Sequence, residues 1–111
     1  KYKGQCEELP ATLANPLWRR APWWLDWHEY VNENGREPND LEEYVKWSQT
    51  RQKEALRIAV GACKKRFPAC GGIIIWMGHD CFPCPTNTSI IDFEGKLKPA
   101  AYVIGEIFNS R

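Results

Sequence analysis

The sequence has 111 residues, among them six tryptophans and five cysteines, and its formal charge is +1. A chain of this length has room for one modest domain with a core of its own. The balanced charge and apolar runs of at most about six residues argue against a nucleic acid or a membrane as partner.

The N-terminal region, residues 1 to 37, is predicted to be loop-rich, with a short helix near residues 26 to 32. It carries Pro10, Pro16 and Pro22 and shows no sustained hydrophobic period. Connections of that length inside a compact domain usually have a function. The tryptophans between Trp18 and Trp27 have two interpretations: flat aromatic faces that contact sugar rings, or rings that only pack a loop onto a larger body.

The next segment predicts a long helix, from about residue 40 to residue 66. Asp40, with Glu43 three residues later, resembles a capping box. Apolar or small residues then recur with a period close to that of an α-helix, at Leu41, Tyr44, Val45, Ser48, Ala55, Leu56, Ala59 and Cys63. Basic residues in the last turn suit the helix dipole, and Pro68 ends the helix.

A strand is predicted after this helix. The glycine pair at 71 and 72 opens a continuous apolar run, Ile73 to Met77, which is typical of a strand buried on both faces in a parallel sheet. A loop over residues 78 to 95 follows, and a last helix begins near Pro99. Because a single parallel strand needs neighbours for its backbone groups, the pattern indicates the closing part of a larger α/β domain.

The cysteines have several interpretations. A redox Cys-x-x-Cys pair normally begins a helix, whereas Cys81 and Cys84 are followed by Pro85 and a polar, non-helical run. A zinc site would draw on Cys63, Cys70, Cys81 and Cys84, with His79 as a substitute. Only the last pair has ligand-like spacing, so we expect neither a metal nor another cofactor. Two further interpretations remain. The cysteines could form a structural disulfide, either Cys81 with Cys84 or Cys63 with Cys70, or they could be small buried thiols that fill gaps in the core.

A third interpretation of the region concerns the end of the predicted strand. In α/β sheets ligands bind at the carboxyl ends of the strands. Trp76 lies at that end, and His79 and Asp80 follow it. An indole can form the floor of a sugar subsite, and a carboxylate with an imidazole can bind hydroxyl groups. The alternative is that Asp80 only caps loop amides and that His79 is solvated.

Two stretches carry a resemblance to a known family. They read GGIIIWMGHDCFP from residue 71 and SIIDFEGKLKPA from residue 89. They resemble the end of the catalytic barrel in glycoside hydrolase family 2, in its β-mannosidase-like branch, where the pattern is roughly G-x-x-x-W-Q-x-N-D-x-W-P and then S-x-x-D-[YF]-x-G-x-x-K-[PA]. YVKWSQTRQ, from residue 44, resembles the Y-x-x-x-S-Q-x-x-Q helix upstream.

The resemblance implies an α/β fold, the C-terminal part of a (β/α)8 TIM barrel. Residues 1–37 would follow the seventh strand, 38–67 would be the seventh helix, 71–78 the eighth strand and 96–109 the eighth helix. It implies a retaining exo-β-glycosidase that acts on a mannoside-, galactoside- or glucuronide-like sugar. The expected partners are that carbohydrate, the remainder of the barrel and accessory β-sandwich domains.

The resemblance also assigns residues to the sugar pocket. Trp76 would line the subsite of the non-reducing sugar, and Asp80 would support that wall. His79 stands where the family has Asn, and Phe82 where it has Trp. A rim of the pocket is expected from Trp24, Trp27 and His28.

No catalytic residue is assigned within this segment: the resemblance implies that the acid/base glutamate and the nucleophile lie upstream of it. Residues 2 to 10, YKGQCEELP, resemble the tail of the nucleophile motif. Aligned without a gap, they place Lys3 at the nucleophile position, and a shifted register would offer Glu7 or Glu8. A catalytically degenerate carbohydrate-binding relative and a small Cys-rich zinc or redox module are the alternative functions.

Overall fold

The computed structural model describes residues 9–16, 18–20, 26–82 and 87–110. These residues contain a 3-10 helix, Trp18–Arg20, and the α-helices α1 (Trp27–Asn34), α2 (Leu41–Lys65) and α3 (Pro99–Asn109). They divide into two compact units: residues up to Ser48 with Phe82 and Asn87 form the first, and the described parts of 49–81 and 88–110 form the second. Lys3, Glu7, Glu8, Trp24 and Cys84, which carried predictions, lie outside the described residues.

Helix α1 is the short helix that the sequence predicted near residues 26 to 32. Its C-cap is Gly35, which adopts φ 67° and donates its N–H to Val31 O at 2.8 Å. This left-handed cap favours glycine because the residue has no Cβ. Trp27 and Tyr30 point from α1 into the core of the first unit.

That core is an aromatic cluster between α1, the 3-10 helix and the beginning of α2. Trp18 and Tyr44 meet edge to face with ring centroids 6.4 Å apart, and the ring of Trp27 lies 5.3 Å from that of Tyr44. Tyr30 and Trp47 make a further edge-to-face pair at 5.2 Å. The first unit thus buries aromatic area in the geometries that aromatic pairs prefer.

Helix α2 begins at the predicted cap, Asp40, although the Glu43 side chain returns to Asn39 rather than to Asp40 itself. Asp40 Oδ1 accepts a hydrogen bond from the backbone N–H of Glu43 at 2.8 Å, and the Glu43 carboxylate accepts one from the N–H of Asn39 at 2.8 Å. The first bond satisfies a backbone donor that the first turn of a helix leaves open, and the second fixes the chain just before the helix. Glu42 and Glu43 lie in the first turn and Lys64 and Lys65 in the last, as the helix dipole favours.

The second unit packs the later part of α2 against α3. Val60 of α2 and Ala100, Val103 and Ile104 of α3 are buried. The Lys64 ammonium donates to the carbonyls of Ile107 and Ser110, and to Ser110 Oγ at 2.9 Å. Lys64 thereby satisfies carbonyls at the end of α3 that have no partner within the helix.

The predicted α/β fold, a TIM-barrel segment with a buried parallel strand at 71–78, is wrong. Among the described residues there are three α-helices and no strand or sheet, and the bridges are isolated: His79 with Ile91 and Ile91 with Leu97. Ile74 is 93% exposed. The β-branched run has strand propensity, but a strand forms only where a neighbouring chain pairs with its backbone, and the described part of the chain places none beside it.

No described helix is both long enough and apolar enough to cross a membrane.

Candidate functional site

Trp76 is the exposed aromatic residue at the centre of the candidate site. The residue is 80% exposed to solvent. Its backbone carbonyl accepts a hydrogen bond from Thr88 Oγ1 at 2.9 Å. The main chain at Trp76 is therefore held in place while the indole is presented to solvent.

The turn after Trp76 is tied to the chain around Ile91. Gly78 O accepts hydrogen bonds from the N–H groups of Ile90 at 3.2 Å and Ile91 at 3.0 Å, and Asp80 donates its own N–H to Ile91 O at 2.9 Å. These three bonds give residues 78 to 80 a fixed backbone outside any helix or sheet. We call residues 76 to 80, with the side chains that hold them, the Trp76 turn.

A buried ion pair lies under the Trp76 turn. Lys98 Nζ is 3.0 Å from Asp80 Oδ2, and these two side chains are 14% and 6% exposed. Lys98 Nζ also donates to Ser89 Oγ at 2.7 Å, and Ser89 is fully buried. Because the burial of an isolated charge costs several kcal/mol of free energy, each ion stabilises the other in its buried position.

Helix α2 supplies the second support of the Trp76 turn. Gln52 Nε2 donates to two successive carbonyls, Thr88 O at 2.9 Å and Ser89 O at 3.0 Å. The amide group has two N–H donors, so both bonds can form at once. Gln52 thus joins α2 to the strip of chain that holds Trp76 and Asp80.

The chain returns from the site to α3 through a tight turn at Asp92. Asp92 Oδ1 accepts from the N–H groups of Glu94 at 3.0 Å and Lys96 at 2.8 Å, and Gly95 has φ 85°. An aspartate that bonds its own downstream backbone is a common turn device, and the positive φ favours glycine. The turn leads into Lys98, whose N–H donates to Ile90 O at 2.9 Å.

The pocket residues predicted from the sequence have different surroundings in the structure. Trp76 and His79 are exposed, whereas Asp80 is 5% exposed and contacts Lys98. An exposed imidazole can donate and accept hydrogen bonds, as a sugar hydroxyl requires. The Asp80 carboxylate is occupied by Lys98, which fits a positioning role. The assignments of all three to a sugar pocket stay predictions.

The predicted rim belongs in part to the first unit. Trp27 is 6% exposed and packs in the aromatic cluster, and His28 is exposed on α1. Trp24 lies outside the described residues. Trp18 is 2% exposed, so two of the tryptophans that raised the sugar hypothesis are core residues. The rim assignment of Trp24, Trp27 and His28 is untested.

The cysteines that raised the zinc and redox hypotheses are free thiols where the structure describes them: Cys63, Cys70 and Cys81. Within the described ranges no three His, Cys, Asp or Glu side chains come together as a metal site would need. Cys84, the partner that both hypotheses gave to Cys81, lies outside those ranges.

The sequence is similar to fungal β-mannosidases. β-Mannosidase B of Aspergillus terreus and that of Aspergillus niger are each 30% identical to the chain over 83 residues, which is 72% of this chain and 10% of each relative. β-Mannosidase B of Aspergillus flavus is 31% identical over 81 residues, 70% of this chain and 10% of the relative. The chain therefore spans about a tenth of the length of the curated relatives it matches.

This similarity relates the chain to β-mannosidases over that segment. No family model matches the chain. No solved structure is significantly similar to it either.

Sequence reasoning missed the residues that hold the site together. Lys98, Ser89 and Gln52 all fall inside the stretches that resemble the family, but none was given a role. A basic residue at the start of a helix is an unfavourable neighbour for the helix dipole. That mismatch at Lys98, directly before Pro99, was the available signal that its charge has a partner elsewhere.

Proposed function

We propose that the chain is a segment of a retaining exo-β-glycosidase of glycoside hydrolase family 2, of the β-mannosidase-like type. In this proposal the segment supplies part of the wall of the sugar pocket, with Trp76 as the contacting side chain. The observation that carries it is the exposed indole of Trp76, held on a hydrogen-bonded turn within a sequence similar to β-mannosidase B. The substrate is a β-linked mannoside-, galactoside- or glucuronide-like sugar.

The proposed chemistry needs two carboxyl groups from other parts of the enzyme. In a retaining glycosidase one carboxylic acid protonates the leaving oxygen while a carboxylate attacks the anomeric carbon, with the two groups about 5 Å apart. The Trp76 turn would bind the sugar ring rather than take part in bond cleavage. Its contribution would come through orientation of the ring relative to those carboxyl groups.

Fixed geometry supports this role. An indole whose backbone is free would lose conformational entropy when a sugar binds, whereas Trp76 is already anchored through Thr88 and the bonds at Gly78. The imidazole of His79, exposed on the same turn, would offer a hydrogen bond to a hydroxyl group of the sugar. Asp80, paired with Lys98, would fix the position of the Trp76 turn relative to the beginning of α3.

The test replaces Trp76 in the complete glycosidase to which the segment would belong. Trp76→Ala should lower kcat/KM for an aryl β-mannoside by at least about tenfold, or ~1.4 kcal/mol of transition-state stabilisation. Trp76→Phe should retain part of the activity because it keeps an aromatic face. The matched control is Tyr102→Ala, which removes another exposed aromatic side chain, 60% exposed, from the second unit. An unchanged kcat/KM for Trp76→Ala would remove this residue from the pocket.

A carbohydrate-binding relative without catalysis is the second candidate. It is favoured by the resemblance that places Lys3 at the nucleophile position and by His79 where the family has Asn. In that case the complete protein would bind the sugar in a Trp76-dependent way without turnover of any aryl β-glycoside. We also expect the 111-residue chain alone to hydrolyse none, since both catalytic carboxyl groups are assigned to other parts of the enzyme; turnover by the chain alone would contradict the proposal.

A further inference from the structure

Two cysteines lie near the end of α2. Cys63 lies in its last turns, and the chain then folds back through hydrogen bonds from Arg66 N to Cys63 O at 3.1 Å and from Cys70 N to Arg66 O at 3.0 Å. The fold-back places both side chains on the lining of one cavity. Both are free and partly exposed.

The two thiols share the wall of an open cavity. Its volume is about 350 Å³, within the range of small-molecule sites. Its lining includes Val60, Cys63, Phe67, Cys70, Ile73 and Phe108. Phe67 is 74% exposed and Phe108 54% exposed, so the cavity opens to solvent. A small reagent that enters the cavity is thus in contact with residues on both sides of the cysteine pair.

We propose that Cys63 and Cys70 form a dithiol site that reduces a small-molecule disulfide and closes to a Cys63–Cys70 disulfide. One thiolate attacks a sulfur of the small disulfide, RSSR; a new S–S bond forms to the protein and one RS⁻ leaves. The second protein thiolate then attacks that mixed disulfide and expels the other RS⁻. The two cysteines lose two electrons and two protons, and RSSR becomes two RSH.

Cys70 is assigned the first attack. Burial, followed by the hydrogen bond with Cys70, raises the pKa of the Cys63 thiol, which lowers the thiolate fraction of Cys63 at neutral pH. The Cys70 thiol lies in the turn after the helix and donates to Gly72 O at 3.3 Å. Cys63 then resolves the mixed disulfide, because it lines the same cavity as Cys70 and its attack is intramolecular, whereas a second molecule of RSSR has to arrive by diffusion.

The test uses the 111-residue chain with the other three cysteines changed, Cys6→Ser, Cys81→Ser and Cys84→Ser. The reduced protein is treated with oxidised glutathione, quenched with acid and weighed by mass spectrometry. The expected main product has lost two hydrogen atoms and carries no glutathione. A main product with one or two bound glutathione molecules, or with two thiols that still react with an alkylating reagent, would overturn the proposal.

Single substitutions in the same background separate the two steps. Cys63→Ser should leave glutathione bound to Cys70, because the resolving thiol is absent. Cys70→Ser should react with oxidised glutathione at least about tenfold more slowly than Cys63→Ser; equal rates would overturn the assigned order. Peptide mapping of the oxidised wild-type chain keeps the test independent of how the variants fold. A Cys63–Cys70 cross-link supports the proposal there, and two alkylatable thiols at these positions contradict it.

Discussion

Lys98 and Asp80 form a buried ion pair in which Nζ lies 3.0 Å from Oδ2. Lys98→Met removes the ammonium group that pairs with the buried Asp80 carboxylate. We expect a loss of about 3 to 5 kcal/mol in the free energy of unfolding, measured by urea denaturation. The control is Lys96→Met, which breaks the ion pair with Glu94 on the surface, where the side chains are 75% and 53% exposed. That change should lie within the error of the measurement, because exposed pairs contribute little.

A double substitution identifies the source of that loss. Lys98→Met combined with Asp80→Leu removes both charges and leaves apolar groups in their place. Replacement of a buried pair in this way is often neutral, so the double variant should be more stable than Lys98→Met alone. If the two losses simply added, the ion pair would not be the reason for the destabilisation.

Gln52 is the second support of the Trp76 turn. Gln52→Ala leaves the carbonyls of Thr88 and Ser89 without their side-chain donor, and Ser89 is fully buried. We expect a loss of about 1 to 3 kcal/mol in unfolding free energy and faster amide hydrogen exchange at Ile90 and Ile91. Gln49→Ala in the same helix is the matched control. Equal effects of the two substitutions would contradict the role given to Gln52.

The stability of the first unit should depend on pH through Glu43. Hydrogen bonds from Arg36, from the backbone N–H of Asn39 and from the Tyr30 hydroxyl lower the pKa of Glu43 from 4.5 to about 2. Because the folded-state pKa is depressed, the stabilisation is fully present above pH 4.5 and is lost as the pH falls toward 2.

Glu43→Gln should therefore flatten the fall in thermal midpoint across that acidic interval, while the wild-type midpoint falls steeply. The comparison is made by circular dichroism at a series of pH values. Glu42→Gln, which changes the neighbouring carboxylate of the same helical turn, is the control and should keep the wild-type slope. A Glu43→Gln profile parallel to the wild type would show that the three hydrogen bonds do not carry the pH dependence.

Asp40 should be the main cap of α2. Its carboxylate accepts the N–H of Glu43 at 2.8 Å, so Asp40→Ala should cost about 1 kcal/mol. Asp40→Ser should restore most of that loss because serine also caps well. Asn39→Ala keeps the backbone N–H that Glu43 accepts and should cost less than Asp40→Ala. Urea denaturation of the three variants measures these differences.

Lys64 should stabilise the last turn of α3 against local opening. Lys64→Met removes the ammonium that donates to Ile107, Phe108 and Ser110, so the last turn of α3 should open more often. We expect amide exchange at Ser110, whose N–H is bonded to Glu106 O, to become faster by roughly tenfold. Lys65→Met, one residue further along α2, is the control. Unchanged exchange in Lys64→Met would contradict the capping role.

The helices were the part of the fold that could be predicted from the sequence. Helix α2 has a strong local signal, the capping pair Asp40 and Glu43 followed by a long amphipathic period, and Pro99 begins α3 where it was expected. These signals are local, since each depends on residues within a few positions of one another. The predicted strand at Ile73 failed because a strand also depends on a partner that no local pattern supplies.

The candidate site was predictable only in part for the same reason. The exposed end of the apolar run drew attention to Trp76, His79 and Asp80. The contacts of Lys98 with Asp80 and of Gln52 with Ser89 join distant parts of the chain, so neither follows from spacing. Composition was also ambiguous for the tryptophans, because the same residue type serves as core at Trp27 and as an exposed surface at Trp76.

The hydrogen bonds between Gly78 and Ile91 make the geometry of the Trp76 turn independent of the number of residues that follow it before Asn87. Hydrogen bonds at Gly78 O and Ile91 O close the loop at its base. An insertion between Cys81 and Asn87 would then lengthen a connection whose two ends are already held, and the free energy of loop closure rises by only about 0.6 kcal/mol for each doubling of length. Homologues should therefore tolerate insertions and deletions there while they keep the spacing from Trp76 to Asp80.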